Sequence, residues 1–182
     1  MSNADASKYP LLRALIELVQ RQDRAALAAL RQGLGRPPGA ALDMYRYVIP
    51  YLPPEASSRY VETAFLIAAL FAFWHQGRDQ VHPAPPPDLG ASLAAMADES
   101  NQDSLDRRFT ALLTCHGADL AVHLRQVVSL LKSKDIALHW PQLFQDVLQW
   151  EHPEAFVQRR WARSFWGRRQ PAAAVDADAD QS

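Results

Sequence analysis

A single cysteine, Cys115, stands in a chain of 182 residues. No internal disulfide can staple the fold, and a reducing, cytoplasmic setting is expected. Long apolar runs are also missing. The longest, Thr63 to Trp74, is twelve residues, too short to span a bilayer, and predicts a buried helix with no membrane residence. No secretory signal is recognisable; Met1 to Ala6 is polar and is left out of fold reasoning. The chain has no phosphate-cradling loop, because Gly33, Gly35 and Gly39 lack a following lysine and hydroxyl. No segment alternates apolar and polar residues between hairpin turns, so no β-sheet is expected. Nor is there an excess of one charge: 19 Lys and Arg face 20 Asp and Glu, for a net charge of -1. A nucleic-acid binder that works alone is usually more basic than this.

What the chain does have is helical periodicity over most of its length. Apolar residues make up 48% of it, enough to exclude disorder for most of the chain. Leu11, Leu12, Leu15, Leu18 and Val19 recur at three and four residues, one face of a helix with Pro10 in its first turn. Asp23 reads as the cap of a second helix, Arg24 to Arg31, ended by Gly33. A short helix is expected over 40–49. A long one begins near Pro54 and runs through Trp74 to Gly77, apolar on most sides and therefore central. Four prolines between Gln80 and Asp88 exclude helix there. Beyond them the pattern predicts a short helix over 89–97 and one from a cap near Asp103 to a break at Gly117. Three more are expected: 118–131, one starting at Pro141, and one from Pro153 to Gly167 with Val157, Trp161 and Phe165 inward. Successive 3.6-residue stripes bury themselves against other helices. The expectation is an all-α fold of about eight or nine helices in two packed groups, 7–88 and 89–169, with a disordered Ala/Asp-rich tail over 170–182.

The residues that carry enzyme chemistry are present but poorly arranged. Asp98 and Glu99 are adjacent and read as solvated charge. Cys115 and His116 are neighbours, with His123, His139 and His152 further on, whereas a zinc site needs three or four converging ligands. A core thiol and a core histidine are the simpler reading; a site built from His116, Asp119 and His123 is the enzymatic alternative. His75 is placed to meet the carbonyl ends of the long helix. Neither an enzyme, a metal nor a cofactor is expected.

Charge is segregated along the chain. Residues 1–36 carry six basic and three acidic groups, 37–106 three and nine, and 107–170 ten and five. On the last helix, Arg159, Arg163 and Trp166 point away from the inward stripe, and Arg168 and Arg169 follow. Arg125 and Lys132 lie opposite the stripe of their helix, Arg107 lies opposite its own, and Arg108 sits on a flank. Arg21, Arg24, Arg31 and Arg36 form a cluster in the first half. Guanidinium forks suit paired phosphate oxygens, and Trp166 suits stacking on a base. The ordinary alternative is a solvated cationic face near a helix C-terminus.

Four segments together resemble a known family. They are Ala25-Ala26-Leu27-Ala28-Ala29-Leu30-Arg31-Gln32-Gly33; Arg107-Arg108-Phe109 with Leu112-Leu113; Leu124 to Leu131 continuing through Leu143, Asp146, Leu148 and Trp150; and Trp161-Ala162-Arg163-Ser164-Phe165-Trp166. In this order the chain resembles CasB, the small subunit of the type I-E CRISPR Cascade surveillance complex, over roughly residues 11–167. The resemblance implies a non-catalytic all-helical subunit, with other Cascade subunits and a second copy of itself as partners. It further implies a place beside the guide RNA and target DNA, helping to hold the displaced strand of the R-loop. It puts Arg31 in a basic N-terminal motif and Arg107, Arg108, Arg125 and Arg163 at basic positions of the C-terminal half. It departs at Gln32, where the family often carries a second arginine; Arg36 is the nearest replacement. The expected nucleic-acid-binding set is Arg31, Arg36, Arg107, Arg108, Arg125, Lys132, Arg159, Arg163, Arg168 and Arg169. The competing reading is a helical protein–protein adaptor without nucleic-acid contact, served by Trp166, Tyr51 and the proline-rich loop.

Overall fold

A computed structural model describes residues 9–37, 40–78, 85–98 and 100–167. Among these the α-helices are α1 Pro10–Gln20, α2 Arg24–Arg31, α3 Tyr45–Val48, α4 Ser58–Trp74 and α5 Leu89–Ala94, then α6 Gln102–Thr114, α7 Gly117–Ser133, α8 Trp140–Leu148 and α9 Phe156–Trp166. Two 3-10 turns, Leu42–Met44 and Ile49–Tyr51, flank α3. No strand occurs among the described residues. The all-α expectation stands, with the helices gathered into interacting clusters. The tail over 170–182, and Arg168 and Arg169 before it, lie outside the described residues.

The long helix α4 organises the rest. From Thr63 to Trp74 its residues are buried except Leu66 and Phe73, as a helix apolar on most sides requires. The helices α1, α2 and α3 pack against it from the N-terminal part of the chain, and α7 and α8 from the C-terminal part. One apolar core therefore runs from Leu11 to Phe165. At the other end α5 lies along α9, and α6 packs on α7. Phe109 of α6 meets Phe165 of α9 with ring centroids 4.2 Å apart.

Local chemistry sets the helix ends, and several differ from the sequence expectation. Asp23 caps α2 as expected, accepting from the N–H of Ala26 at 2.9 Å. By contrast α4 starts at Ser58, not near Pro54, because the Ser57 hydroxyl accepts from the N–H of Tyr60 and so satisfies an orphan donor. The α6 start is organised by Asp98, whose carboxylate accepts from the N–H groups of Ser100 and Asn101, rather than by Asp103. Gly117 opens α7 instead of merely breaking α6, and His116 is the residue before it. His116 is exposed, so it is not the core histidine expected, while Cys115 is half-buried. The last helix begins at Phe156, after Ala155 in a left-handed conformation, φ 48°; Pro153 sits in the turn before it.

Candidate nucleic-acid interface

The arginines divide into two sets by what surrounds them. The first set holds helices together. Arg59 of α4 donates from Nε to the carbonyl of Leu148 at 2.8 Å and from Nη2 to that of Val147 at 3.0 Å, with Nη1 on the Glu151 carboxylate at 2.6 Å. These bonds satisfy carbonyls at the end of α8 that have no partner within the helix. Arg78 does the same for α4 and α7, donating to the carbonyls of Trp74 and Lys132 and to the carboxylate of Asp135. Arg160 pairs with the fully buried Asp146, which also accepts from the Trp161 indole N–H at 2.6 Å and from Gln142 Nε2 at 2.8 Å. Burial pushes the Asp146 carboxyl up, and the Gln142, Arg160 and Trp161 donors draw it back down. Exposed Arg21 pairs with Glu17 one turn earlier.

The second set faces water without a carboxylate partner. Among the described residues, Arg31, Arg36, Arg107, Arg108, Arg125, Arg159 and Arg163 make no ion pair. All are exposed except the half-buried Arg31. These belong to the expected set, which also named Lys132, Arg168 and Arg169; Arg13, Arg24 and Arg46, outside that set, are likewise exposed and make no ion pair among the described residues. Lys132 is half-buried: its Nζ donates to the carbonyl of Phe73 at 2.7 Å and lies 4.6 Å from the Phe73 ring centroid. Burial, then the charges of Arg78 and Arg31, hold its ammonium below the usual lysine range.

Tertiary packing brings part of this set together. A Cβ built on Gly35, whose φ is +74°, would lie 3.0 Å from Nη1 of Arg125. The loop that follows Arg31 and carries Arg36 is thus laid against the α7 arginine, across the joint between N- and C-terminal helices. Lys132 lies two turns along α7 from Arg125, within electrostatic reach of Arg31. The remaining exposed arginines of the expected set sit on α6 and α9. Val157, Trp161 and Phe165 are fully buried, so Arg159 and Arg163 project outward as the periodicity predicts. On α6, Arg107 and Arg108 follow Asp106, whose carboxylate accepts from the Trp166 indole N–H at 3.1 Å. Trp166 is also edge-on to Phe109 at 5.2 Å. It covers part of α6 and remains 38% exposed.

Neither Arg24 nor Arg78 was in the expected set. Both line a cleft with Arg31, and the only signal in sequence was the N-terminal clustering of Arg21, Arg24, Arg31 and Arg36. Among the described residues no group of three or more His, Cys, Asp or Glu is placed to hold a metal ion. The Cys115 thiol is pushed up by burial and by the nearby Asp119 charge, the reverse of an activated nucleophile. No helix among the described residues is long and apolar enough to cross a membrane.

Fold and surface define an all-helical protein in which Arg59, Arg78 and Arg160 fasten helix to helix while other arginines face outward without an ion pair among the described residues. The family model described as CRISPR-associated protein Cse2 matches residues 26–166. A Cse2 protein of Thermus thermophilus is 35% identical over 151 residues, 81% of this chain and 82% of that protein. The crystal structure of a Cse2-family protein from Thermus thermophilus superposes with a TM-score of 0.73 at 32% identity, covering 87% of this chain and 99% of that one. A chain of a CRISPR RNA-guided surveillance complex superposes with a TM-score of 0.72 at 29% identity, covering 86% and 93%. The chain belongs to the Cse2 family, also called CasB.

Proposed function

We propose that this chain is a non-catalytic small subunit of a type I-E Cascade complex in the cytoplasm. There it lies beside other Cascade subunits and a second copy of itself. Its outward arginines hold the backbones of guide RNA, target DNA and the displaced strand. The observation that carries this reading is that Arg59, Arg78 and Arg160 are spent on structure, while Arg36, Arg125, Arg159 and Arg163 face water and half-buried Arg31 has no ion pair among the described residues. The Arg125–Gly35 contact joins cations from both halves of the chain into one seam. Membership in the Cse2 family and the likeness to a chain of an RNA-guided surveillance complex support the same conclusion.

The physics of the role is consistent. R-loop formation exchanges one duplex for a heteroduplex of similar stability, so a few backbone contacts decide whether the open state persists. Guide pairing supplies sequence, and contacts to phosphate need none. Anchoring in an assembly raises the effective concentration of a weak binder, which reconciles a net charge of -1 with nucleic-acid contact.

The test is R-loop formation by a reconstituted complex carrying Arg125→Glu with Arg163→Glu. R-loop yield is expected to drop while helicity is unchanged. The salt dependence of log K is expected to become shallower by about one unit for each phosphate that is no longer neutralised. Unchanged R-loop formation by a well-folded double variant would remove these arginines from the interface. The adaptor reading draws on Leu42, Tyr45, Ile49 and Tyr51, large apolar side chains exposed on one short segment of the kind that marks a protein contact. It requires partner binding that polyanions do not affect.

A further inference from the structure

Four of the five tryptophans are sealed in the core: Trp74, Trp140, Trp150 and Trp161 are each at most 2% exposed. Trp166, on the last turn of α9, is 38% exposed. Its ring is nevertheless held. The indole N–H donates to the Asp106 carboxylate of α6 at 3.1 Å. Phe109 of α6 and Phe165 of α9 meet it with centroids 5.2 and 5.3 Å away, at interplanar angles of 60° and 74°. Both contacts are edge-to-face, so neither phenylalanine takes the parallel stacking position on the indole. A ring fixed in this way has given up its rotamer freedom before any ligand arrives, which lowers the cost of binding.

The charges around the ring are ordered. Arg163 precedes Trp166 by one helical turn, is exposed, and makes no ion pair among the described residues. Its Cγ lies 3.8 Å from the position of a Cβ built on Gly167, so its stem heads for the C-terminal end of α9, beside Trp166. Asp106 occupies the N–H edge of the indole. A phosphate is repelled there and attracted to Arg163. A ligand with a flat body and an anionic group is thereby oriented, its plane on the ring and its charge toward the guanidinium.

We propose that Trp166 is a stacking platform for one unpaired base of a single strand, with Arg163 holding that nucleotide's phosphate. The proposal rests on the nucleic-acid reading above and deepens it. Contacts to the backbone alone carry no information about the bases, whereas an indole takes only a base that has left its duplex. Every base has a π-face, so stacking is tolerant of sequence. The platform therefore adds a preference for unpaired strand without reading base edges.

The test follows the tryptophan fluorescence of the full chain at low salt, where phosphate contacts are strongest. The other four tryptophans are buried, so a stacked base quenches Trp166 alone. The probes are a single-stranded oligodeoxyadenylate, an abasic strand of the same length, and a duplex of that length, with affinities read from the anisotropy of a dye on each. The intact single strand is expected to quench part of the emission, and the abasic strand and duplex to leave it unchanged. Trp166→Leu keeps an apolar side chain against Phe109 but has no π-face. It should weaken the intact strand about tenfold and leave the abasic strand unaffected, with parent helicity. Trp166→Phe restores a π-face, so its affinity should return to within about threefold of the parent while the quench disappears. Arg163→Glu should weaken intact and abasic strands alike. Intact-strand binding by Trp166→Leu as tight as the parent's, or quenching that survives Trp166→Phe, would overturn the platform. The nucleic-acid reading would then stand if Arg163→Glu still weakened both strands. A parent chain that binds neither strand would overturn the platform and that reading together.

Discussion

Asp146 is fully buried and carries three donors from two helices: Gln142 on its own α8, and Arg160 and Trp161 on α9. Removing the carboxylate leaves the indole N–H of Trp161 without an acceptor in the core, while the partly exposed Arg160 can turn to water. Asp146→Ala is therefore expected to cost about 2–4 kcal/mol, read as a lowered urea midpoint at unchanged slope. A near-parent midpoint would mean that the cluster is dispensable. At this scale the sequence was only partly legible. Asp146 stands in one of the family-like segments, and its spacing gives no hint of a partner. The pair lies fourteen residues apart on different helices, and whether two such side chains meet depends on how the helices are rotated. Trp166 shows the same limit. Its outward position was readable, but its bond to Asp106, sixty residues earlier in the chain, was not.

At the scale of elements, α9 presents Arg159 and Arg163 only while its other face stays seated. It is seated on α5 by close backbone approach. A Cβ built on Gly90 would run into the carbonyl oxygen of Trp161. Nearby, Ser164 donates to Asp88 at 2.7 Å, and Asp88 caps α5 through the N–H of Ala91. Gly90→Ala must lift α5 off α9 and strain that bond, at about 1–3 kcal/mol. A fall in thermal midpoint with helicity retained is the expected result; a neutral substitution would show that the two helices have room to spare. The Val157-Trp161-Phe165 stripe and the outward arginines were evident from periodicity, because a helix's faces follow from its own spacing. Helix starts were less so. Proline tolerates a first turn without requiring one, so Pro54 and Pro153 mark turns before α4 and α9, while Ser57 and the left-handed Ala155 stand at the true boundaries.

Over the whole molecule, α4 is shared. Helices from both halves of the chain pack on it, and one apolar cluster connects them. Unfolding is predicted to be a single event, with far-ultraviolet circular dichroism and the fluorescence of buried Trp74, Trp140, Trp150 and Trp161 losing signal at one denaturant concentration. Non-coincident curves would restore two independently stable groups. The shared core also sets the geometry at Arg125, since packing on α4 holds α2 and the loop of Gly35 and Arg36 that follows it against α7.

The amino-acid sequence alone determined that the protein is all-helical, how many α-helices its described residues hold to within one, and that Arg159 and Arg163 leave the last helix on its outer face. These follow from spacing within a single segment, where 3.6-residue periodicity acts locally. Only the tertiary structure decided which arginines are neutralised, that Lys132 caps α4, and that Arg24, Arg31 and Arg78 enclose a cleft. Each of those depends on a distance between groups remote in the chain, and electrostatic and hydrogen-bond energies change steeply over the few ångströms that packing alone sets.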